Sequence, residues 1–305
     1  MLATKGDAVP AGEEWSHEVK WDGVRMLADV RDGAERARLT TRNGNDASVA
    51  WPDVHLAPMG GRDLLVDGEV IGINPDTGVP DFAVIQERMH VRSATTAARL
   101  AKQVPATFMV FDVMRLDGDD LTGLPLAERR EVLAGLDLGG WQVPPTYDDG
   151  AMLREATLAQ GLEGIVSKRL SSRYEPGARS RHWLKLAHRH RFSYLVGGWR
   201  PQEGTRDRLA ALLVGEPTAD GLMYRGRVGS GIGGAASRLL AGQLAGREAT
   251  GSPFADEVPA VDARGTTWVE PFLVVDVDSL NKRPVQRLRQ PSYRGIRTDI
   301  GVGDL

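Results

Sequence analysis

The 305-residue chain contains no cysteine, which excludes disulfide scaffolds, zinc knuckles, iron–sulfur clusters and thiolate nucleophiles. No 18 apolar residues run together, and Met1 to Trp15 carries Lys5, Asp7, Glu13 and Glu14 without an apolar core. Neither a membrane span nor a secretory leader is expected, and a soluble cytoplasmic protein is. No internal repeat or low-complexity linker is present. Lysine is scarce: Lys5, Lys20, Lys102, Lys168, Lys185 and Lys282 stand against 32 arginines. Arginine is a fixed cation, whereas an amine can lose its proton and attack. If the chain uses a nucleophile, this short list is where to look.

What is present suffices for two ordinary domains, since 41% of the residues are hydrophobic and each half can bury a core. The net charge of −3 is unevenly spread. From Glu163 to Arg191 there are eight Lys/Arg against two Glu, and from Leu280 to Arg297 six Lys/Arg and no acid. Such stretches are either solvated faces or contacts for a phosphate backbone. Alternating runs bounded by turn residues predict strands at His17–Val30 (with Asp22-Gly23 inside), Asp63–Ile73, Thr107–Leu116 and Gly164–Arg169. Helical spacing appears at Phe82–Met89, Ala94–Lys102, Pro125–Leu136 and Ala151–Gln160. Past residue 190 short strands dominate, at Tyr194–Arg200, Leu209–Gly215, Leu222–Val228 and Thr267–Val277, with a helix near Ala235–Ala245 and an exposed loop at Thr250–Ala263. The expected fold is α+β over residues 1–190, followed by a small β-barrel over 191–305.

In Glu18-Val19-Lys20-Trp21-Asp22-Gly23-Val24-Arg25 a lysine ends a strand and an arginine follows a turn, so both could face one pocket. The same pattern also describes an ordinary charged hairpin with an Asp-Gly turn. Further elements follow in order: Thr41-Arg42-Asn43-Gly44, Asp67-Gly68-Glu69, Phe108–Asp112, Glu128-Arg129-Arg130, the run from Glu163 to Arg169, and Trp183-Leu184-Lys185. The later part adds Gly226–Ile232, Trp268-Val269-Glu270-Pro271 and Arg294–Asp299. The series resembles the motifs of the ATP-dependent DNA ligases, members of the covalent nucleotidyltransferase superfamily, over nearly the whole chain. It implies an adenylation domain of antiparallel sheets and helices (1–190) and an oligonucleotide-binding (OB-fold) barrel (191–305).

The resemblance implies that Lys20 attacks the α-phosphate of ATP and carries AMP, which passes to the 5′-phosphate of a nick before the 3′-hydroxyl seals the strand. Glu18 would read the adenine amino group beside Val19, Phe111 would stack on the base, and Arg25 and Glu69 would hold the ribose. Arg42 would contact phosphate, Lys185 would face the α-phosphate, and Arg297 of the barrel would reach the ATP phosphates. Glu163, with Asp22, would hold Mg²⁺ or Mn²⁺. The residue types suit this chemistry: a lysine with an ordinary pKa of roughly 10.4 must be made neutral, and Lys185, Arg25 and a divalent cation could do so. Taken singly, Phe111 also reads as core, Glu163 as a surface carboxylate and Lys168 as a solvated strand residue.

Two positions depart from the family pattern. Ala187 stands where a second lysine follows Lys185, and Ile300 where a lysine closes the last motif. His188, Arg189 and Arg191 are candidates to supply the missing charge. Only 19 residues precede Lys20, so the resemblance is to two-domain core enzymes of bacterial repair and to the ligase portion of end-joining proteins. The expected partners are nicked double-stranded DNA and a repair polymerase or end-joining protein, with a monomer acting at the nucleoid and no membrane. An RNA ligase, a GTP-using capping enzyme, and a nucleic-acid-binding relative with a degenerate pocket are the alternatives.

Overall fold

Period-two burial builds the first half of the chain. From Val24 to Val30 the side chains of Val24, Met26, Ala28 and Val30 are buried, while Arg25, Leu27 and Asp29 face the other way, as a strand with one side on a core requires. In the computed structural model this strand, β3 (Val24–Val30), lies in a five-stranded antiparallel sheet with β4 (Arg38–Thr41), β5 (Leu64–Gly72), β6 (Ala106–Leu116) and β7 (Asp119–Asp120), in the order β4-β3-β5-β6-β7. A second sheet, of order β1-β9-β8-β2, joins β1 (Leu2–Lys5), β2 (Trp15–Val19), β8 (Gly164–Arg169) and β9 (Arg179–Ala187), with β1 parallel to β9. The structure describes all residues except 59, 60, 203, 206, 207 and 281–286. Lys282 and Arg283 of the second basic stretch therefore lie outside the described residues.

One face of the five-stranded sheet packs Met26, Val66, Val70, Phe108 and Val110 on Trp51 and Trp141. The other face turns Leu27, Leu65 and Phe111 toward Met1, Ala3, Tyr174 and Trp183. The sheets thus meet through a small apolar cluster that stops short of filling the space between them. Helices α1 (Phe82–Ile85), α2 (Ala94–Gln103), α3 (Leu126–Ala134) and α4 (Gly150–Ala159) complete the unit. The expected helix at Phe82–Met89 ends as α-helix at Ile85 and continues as a 3₁₀ turn to His90. On α3, Arg129 reaches Asp112 of β6 in a paired contact of 2.8 and 2.9 Å with both side chains fully buried.

The run His17–Val30, read as a strand with a turn inside, is not a hairpin. β2 pairs with β8 in one sheet, and β3 pairs with β4 and β5 in the other. Lys20 to Gly23 therefore crosses from sheet to sheet. At Gly23 a Cβ would stand 2.3 Å from the carbonyl oxygen of Val70, so only glycine lets the crossing pass this close to β5.

The chain divides into two compact units, Met1–His188 and Arg189–Leu305. In the second unit, β10 (His190–Pro201), β11 (Leu209–Thr218), β12 (Gly221–Val228), β14 (Val274–Ser279) and β15 (Ser292–Ile296) form a sheet of order β12-β11-β10-β14-β15, with β13 (Thr267–Trp268) added against β10. Just past β12, Ser230 bridges Ser292, so the sheet curves back on itself as a barrel does. Helix α5 (Gly234–Leu244) buries Leu240 and Leu244 in the same core as Tyr194, Val214 and Val275. The predicted strand Thr267–Val277 breaks into β13 and β14, because Pro271, which has no N–H to donate, lies between them. The predicted exposed loop Thr250–Ala263 holds a buried Phe254 and ends in a short helix, α6 (Ala260–Ala263).

Candidate functional site

The space between the two sheets of the first unit is a cavity of about 240 Å³. Glu18, Val19, Lys20, Arg25, Arg42, Glu69, Phe111 and Lys185 line it, drawn from six strands and their ends. The crossing between sheets explains the meeting: Lys20 finishes the β2 side, and Arg25 begins the β3 side on the face opposite the core.

Lys20 is placed by its backbone, whose N–H donates to the Gly164 carbonyl at 2.8 Å. That bond extends the β2–β8 register, in which Val19 faces Ile165, and sets Lys20 beside Glu163. The two side chains form an ion pair of 2.6 Å, 23% and 12% exposed. Gly164 has φ +144°, and a Cβ there would meet the Leu186 carbonyl at 2.3 Å. Glycine thus allows β8 and β9 to approach tightly where Glu163 turns toward Lys20.

The inner wall holds a second lysine–glutamate pair. Lys168 donates to Glu18 Oε2 at 2.8 Å, and both side chains are almost fully buried. The ammonium also sits 4.4 Å from the ring centroids of both Phe111 and Trp183, an arrangement in which the ring faces share its charge. Burial pushes the Lys168 pKa down, against the pull of Glu18. Glu18 Oε1, Trp21 Nε1 and Trp183 Nε1 are buried at this cavity without a hydrogen-bond partner among the described residues. Buried polar atoms are ordinarily satisfied, so a cavity lined by three such atoms is shaped for a polar guest.

On the β3–β5 side, Arg25 is opposite Glu69 in the register, and burial pushes the Glu69 carboxyl up to about 8 against the attraction of Lys20. Arg25 itself is held by Asp67 through Nε and Nη2, at 2.9 and 2.5 Å. At the open side, Lys185, Arg42 and Arg179 converge on the cavity. Burial, followed by the nearby charges of Lys20 and Arg179, lowers the Lys185 pKa. Such a cluster of cations suits a polyanion.

Glu163 joins this set only through its pair with Lys20, and Asp22 and Arg297 are not among the residues that line the cavity. Asp22 is buried in the crossing between β2 and β3 and does not line the cavity. Arg297 belongs to the second unit, where Asp299 takes it in a fork of two 2.7 Å bonds and Ser193 and Asp276 lie at 3.2 and 3.4 Å. The candidates to replace the missing lysines are engaged elsewhere. His188 is buried against Thr157 at 2.9 Å, Arg189 donates to the Gln290 carbonyl, and Arg191 pairs with Asp278. The additional cavity cations are instead Arg42 and Arg179.

Lys168, Trp183, Arg179 and the β1 residues Leu2 and Ala3 line the cavity without having been assigned a role from the sequence. For Lys168 the signal was present. It alternates with Val166 on β8, and both face the cavity. Strand β1 is four residues long and carries no pattern that could have marked it.

Residues 1–186 match the ATP dependent DNA ligase domain, and residues 205–300 the ATP dependent DNA ligase C terminal region. The chain is 35% identical over 305 residues to the multifunctional non-homologous end joining DNA repair protein LigD of Mycobacterium tuberculosis, covering 98% of this chain and 38% of that protein. It is 32% identical over 234 residues to DNA ligase C2 of Mycolicibacterium smegmatis, covering 72% of this chain and 62% of the relative. Among solved structures, mycobacterial DNA ligase D complexed with ATP and MES is similar with a TM-score of 0.56 and 33% identity, covering 100% of this chain and 96% of that one. The chain spans well under half the length of the LigD proteins it matches.

Proposed function

Because the chain belongs to the ATP-dependent DNA ligases, we propose that it seals nicks in duplex DNA through an adenylate carried on Lys20. One observation carries the assignment of residues: Lys20 lines one cavity together with Glu18, Lys168, Phe111 and Trp183 and with the cations Lys185, Arg42 and Arg179.

In the first step the neutral Lys20 Nζ attacks the α-phosphorus of ATP. A P–N bond forms as the nitrogen gives up a proton to solvent, the bond to the bridging oxygen breaks, and pyrophosphate leaves. Lys185, Arg42 and Arg179 offset the charge on the phosphate oxygens. Glu18 Oε1 accepts from the adenine amino group, Phe111 stacks on the base with Val19 at its edge, and Arg25 and Glu69 hold the ribose. In the second step a 5′-phosphate oxygen of the nick attacks the same phosphorus, the P–N bond breaks and Lys20 takes up a proton. In the third the 3′-hydroxyl, giving up its proton to solvent, attacks the 5′-phosphorus, the anhydride bond to AMP breaks and AMP departs.

A divalent ion suits this site. Mg²⁺ and Mn²⁺ favour one or two carboxylates together with substrate phosphates over an all-protein cage, and Glu163 offers one carboxylate beside Lys20, while the described residues hold no cluster of three metal-ligating side chains. Glu163 would hold such an ion, which would supply positive charge to the phosphates. Asp22 enters only if the crossing shifts. The barrel unit would carry Arg297 toward the ATP phosphates. The enzyme acts as a monomer on the DNA of a bacterial cytoplasm and joins breaks together with an end-joining or repair polymerase partner.

The test is incubation with ATP labelled at the α-phosphate and Mg²⁺ or Mn²⁺, then with nicked duplex. Label on wild type, its absence in Lys20→Ala, and its loss to joined DNA support the reading. Label from GTP in preference to ATP would move the chain to capping chemistry. Label that RNA accepts and DNA does not would make it an RNA ligase. No label at all would leave a binding protein.

A further inference from the structure

The geometry points to Tyr174 as a positioning residue that fixes the Arg25 guanidinium for the ribose of the nucleotide, acting through the Asp67 carboxylate. This rests on the reading that Arg25 holds the ribose.

Tyr174 lies outside both β8 and β9, in the connection that joins them, and has no place in the chemistry described above. Its side chain is buried, 5% exposed, and its hydroxyl donates to Asp67 Oδ2 at 2.7 Å. Asp67 is wholly buried on β5 and accepts the Nε and Nη2 of Arg25 on its two oxygens. A carboxylate that accepts only a guanidinium fork can swing about its own bond and carry the fork with it. A third donor from another element removes that freedom.

The tyrosine is itself immobilised. Its backbone N–H donates to the Thr122 carbonyl at 2.9 Å. Its ring meets the edge of Trp183 at 6.0 Å and lies under the Arg129 guanidinium at 5.8 Å. Arg129 in turn is locked by Asp112 and by the carbonyls of Leu124 and Ser172. A rigid line therefore runs from the buried ion pair of α3 and β6, through Tyr174 and Asp67, to the one arginine that reaches the cavity from β3. Burial beside Asp67 raises the phenol pKa, so the hydroxyl stays a donor at every working pH. Arg25 is also packed 5.7 and 5.8 Å from the Phe111 and Trp183 rings, which leaves little room for a second productive orientation.

The measurement is self-adenylylation over a range of concentrations of ATP and of 2′-deoxyATP, with wild type, Tyr174→Phe, Arg25→Ala and the double variant. Tyr174→Phe is expected to raise half-saturation for ATP about ten-fold, the size of effect that a misaligned contact to a charged group produces, with the maximal rate nearly kept. Half-saturation for 2′-deoxyATP should hardly move, so the preference for ATP shrinks. The double variant should match Arg25→Ala alone, because the tyrosine acts only through that arginine. Preference is a ratio within one preparation and is unaffected by a fraction of misfolded enzyme. An unchanged preference in Tyr174→Phe, or effects of the two substitutions that multiply, would overturn the proposal. If Arg25→Ala leaves the preference unchanged, the ribose reading fails, while non-multiplying effects on ATP would still tie Tyr174 to Arg25. Should Tyr174→Phe not fold, Asp67→Asn must show the same loss of preference, and an Asp67→Asn enzyme with full preference sinks the idea.

Discussion

Lys20 Nζ lies 2.6 Å from Glu163 Oε2, so the amine proposed to attack ATP is paired with the carboxylate proposed to hold the metal. An ammonium in an ion pair has no lone pair to offer. Attack requires Glu163 to turn to another cation and Lys20 to lose its proton, and the two requirements are one rearrangement. Lys20→Arg tests this, since arginine keeps the pairing and cannot deprotonate. The expected result is folded protein with an unchanged melting temperature within about 2 °C and no covalent label. Residual labelling in that variant would show that another residue accepts the AMP.

Lys168 and Glu18 form the second pair, and removing one partner leaves a buried charge. Lys168→Met is expected to cost about 3–5 kcal/mol of stability, read in a urea titration. It is also expected to weaken discrimination of ATP from GTP by about ten-fold or more, read as the ratio of labelling rates, because Glu18 loses the partner that aims it. A stable variant with full discrimination would reduce Lys168 to a packing residue.

Ala187 faces Gly164 across β8 and β9, one residue from Glu163. Ala187→Lys would add an ammonium near the phosphate end of the cavity and is expected to speed adenylylation at subsaturating ATP by about three- to ten-fold. Measured rates equal to wild type would mean that Arg42 and Arg179 already supply the charge the site can use.

His17 pins β2 to β8 through a 2.8 Å bond between Nδ1 and Ser167 Oγ, and it is 2% exposed. Burial lowers its pKa, with Asp149 and Asp148 opposing. The unfolded chain takes up this proton near pH 6.5, and the folded chain does so only at lower pH. Between the two values the unfolded state binds more protons, so stability falls as pH falls below about 6.5. Thermal unfolding of wild type and His17→Asn from pH 7.5 to 5 checks the sign: the variant should lose less than wild type over that range. His55, lowered by burial in the same way, contributes to the residual slope.

Much of this was legible in the sequence because strands advertise themselves through alternation. Leu64–Gly72 and Gly164–Arg169 read almost to the residue. The residue set of the site was legible through the ordered motifs. What could not be read was which strand pairs with which. The run from His17 to Val30 has the local chemistry of a hairpin, and only long-range pairing with β8 on one side and β5 on the other makes it a crossing. Alternation with Val166 marks the side of β8 that carries Lys168, but the same cause hid its burial. A cation on a strand is ordinarily solvated, and its burial depends on Phe111 and Trp183 arriving from distant parts of the chain. Tyr174 belongs by sequence only to the approach to Trp183-Leu184-Lys185, and nothing local assigns it a role, because its partner Asp67 lies 107 positions away.

Ile300, which stands where the family closes with a lysine, packs against the cluster of Leu195, Leu213, Leu222, Tyr224, Phe254 and Val274. The position serves the barrel as apolar filler. Writing lysine back at 300 would resemble a repair when judged by sequence, yet the side chain would have to leave its apolar seat or bury its stem there. Reversal of this departure is therefore opposed by the barrel's own cohesion, because a single Ile300→Lys substitution would loosen packing in the domain that carries Arg297.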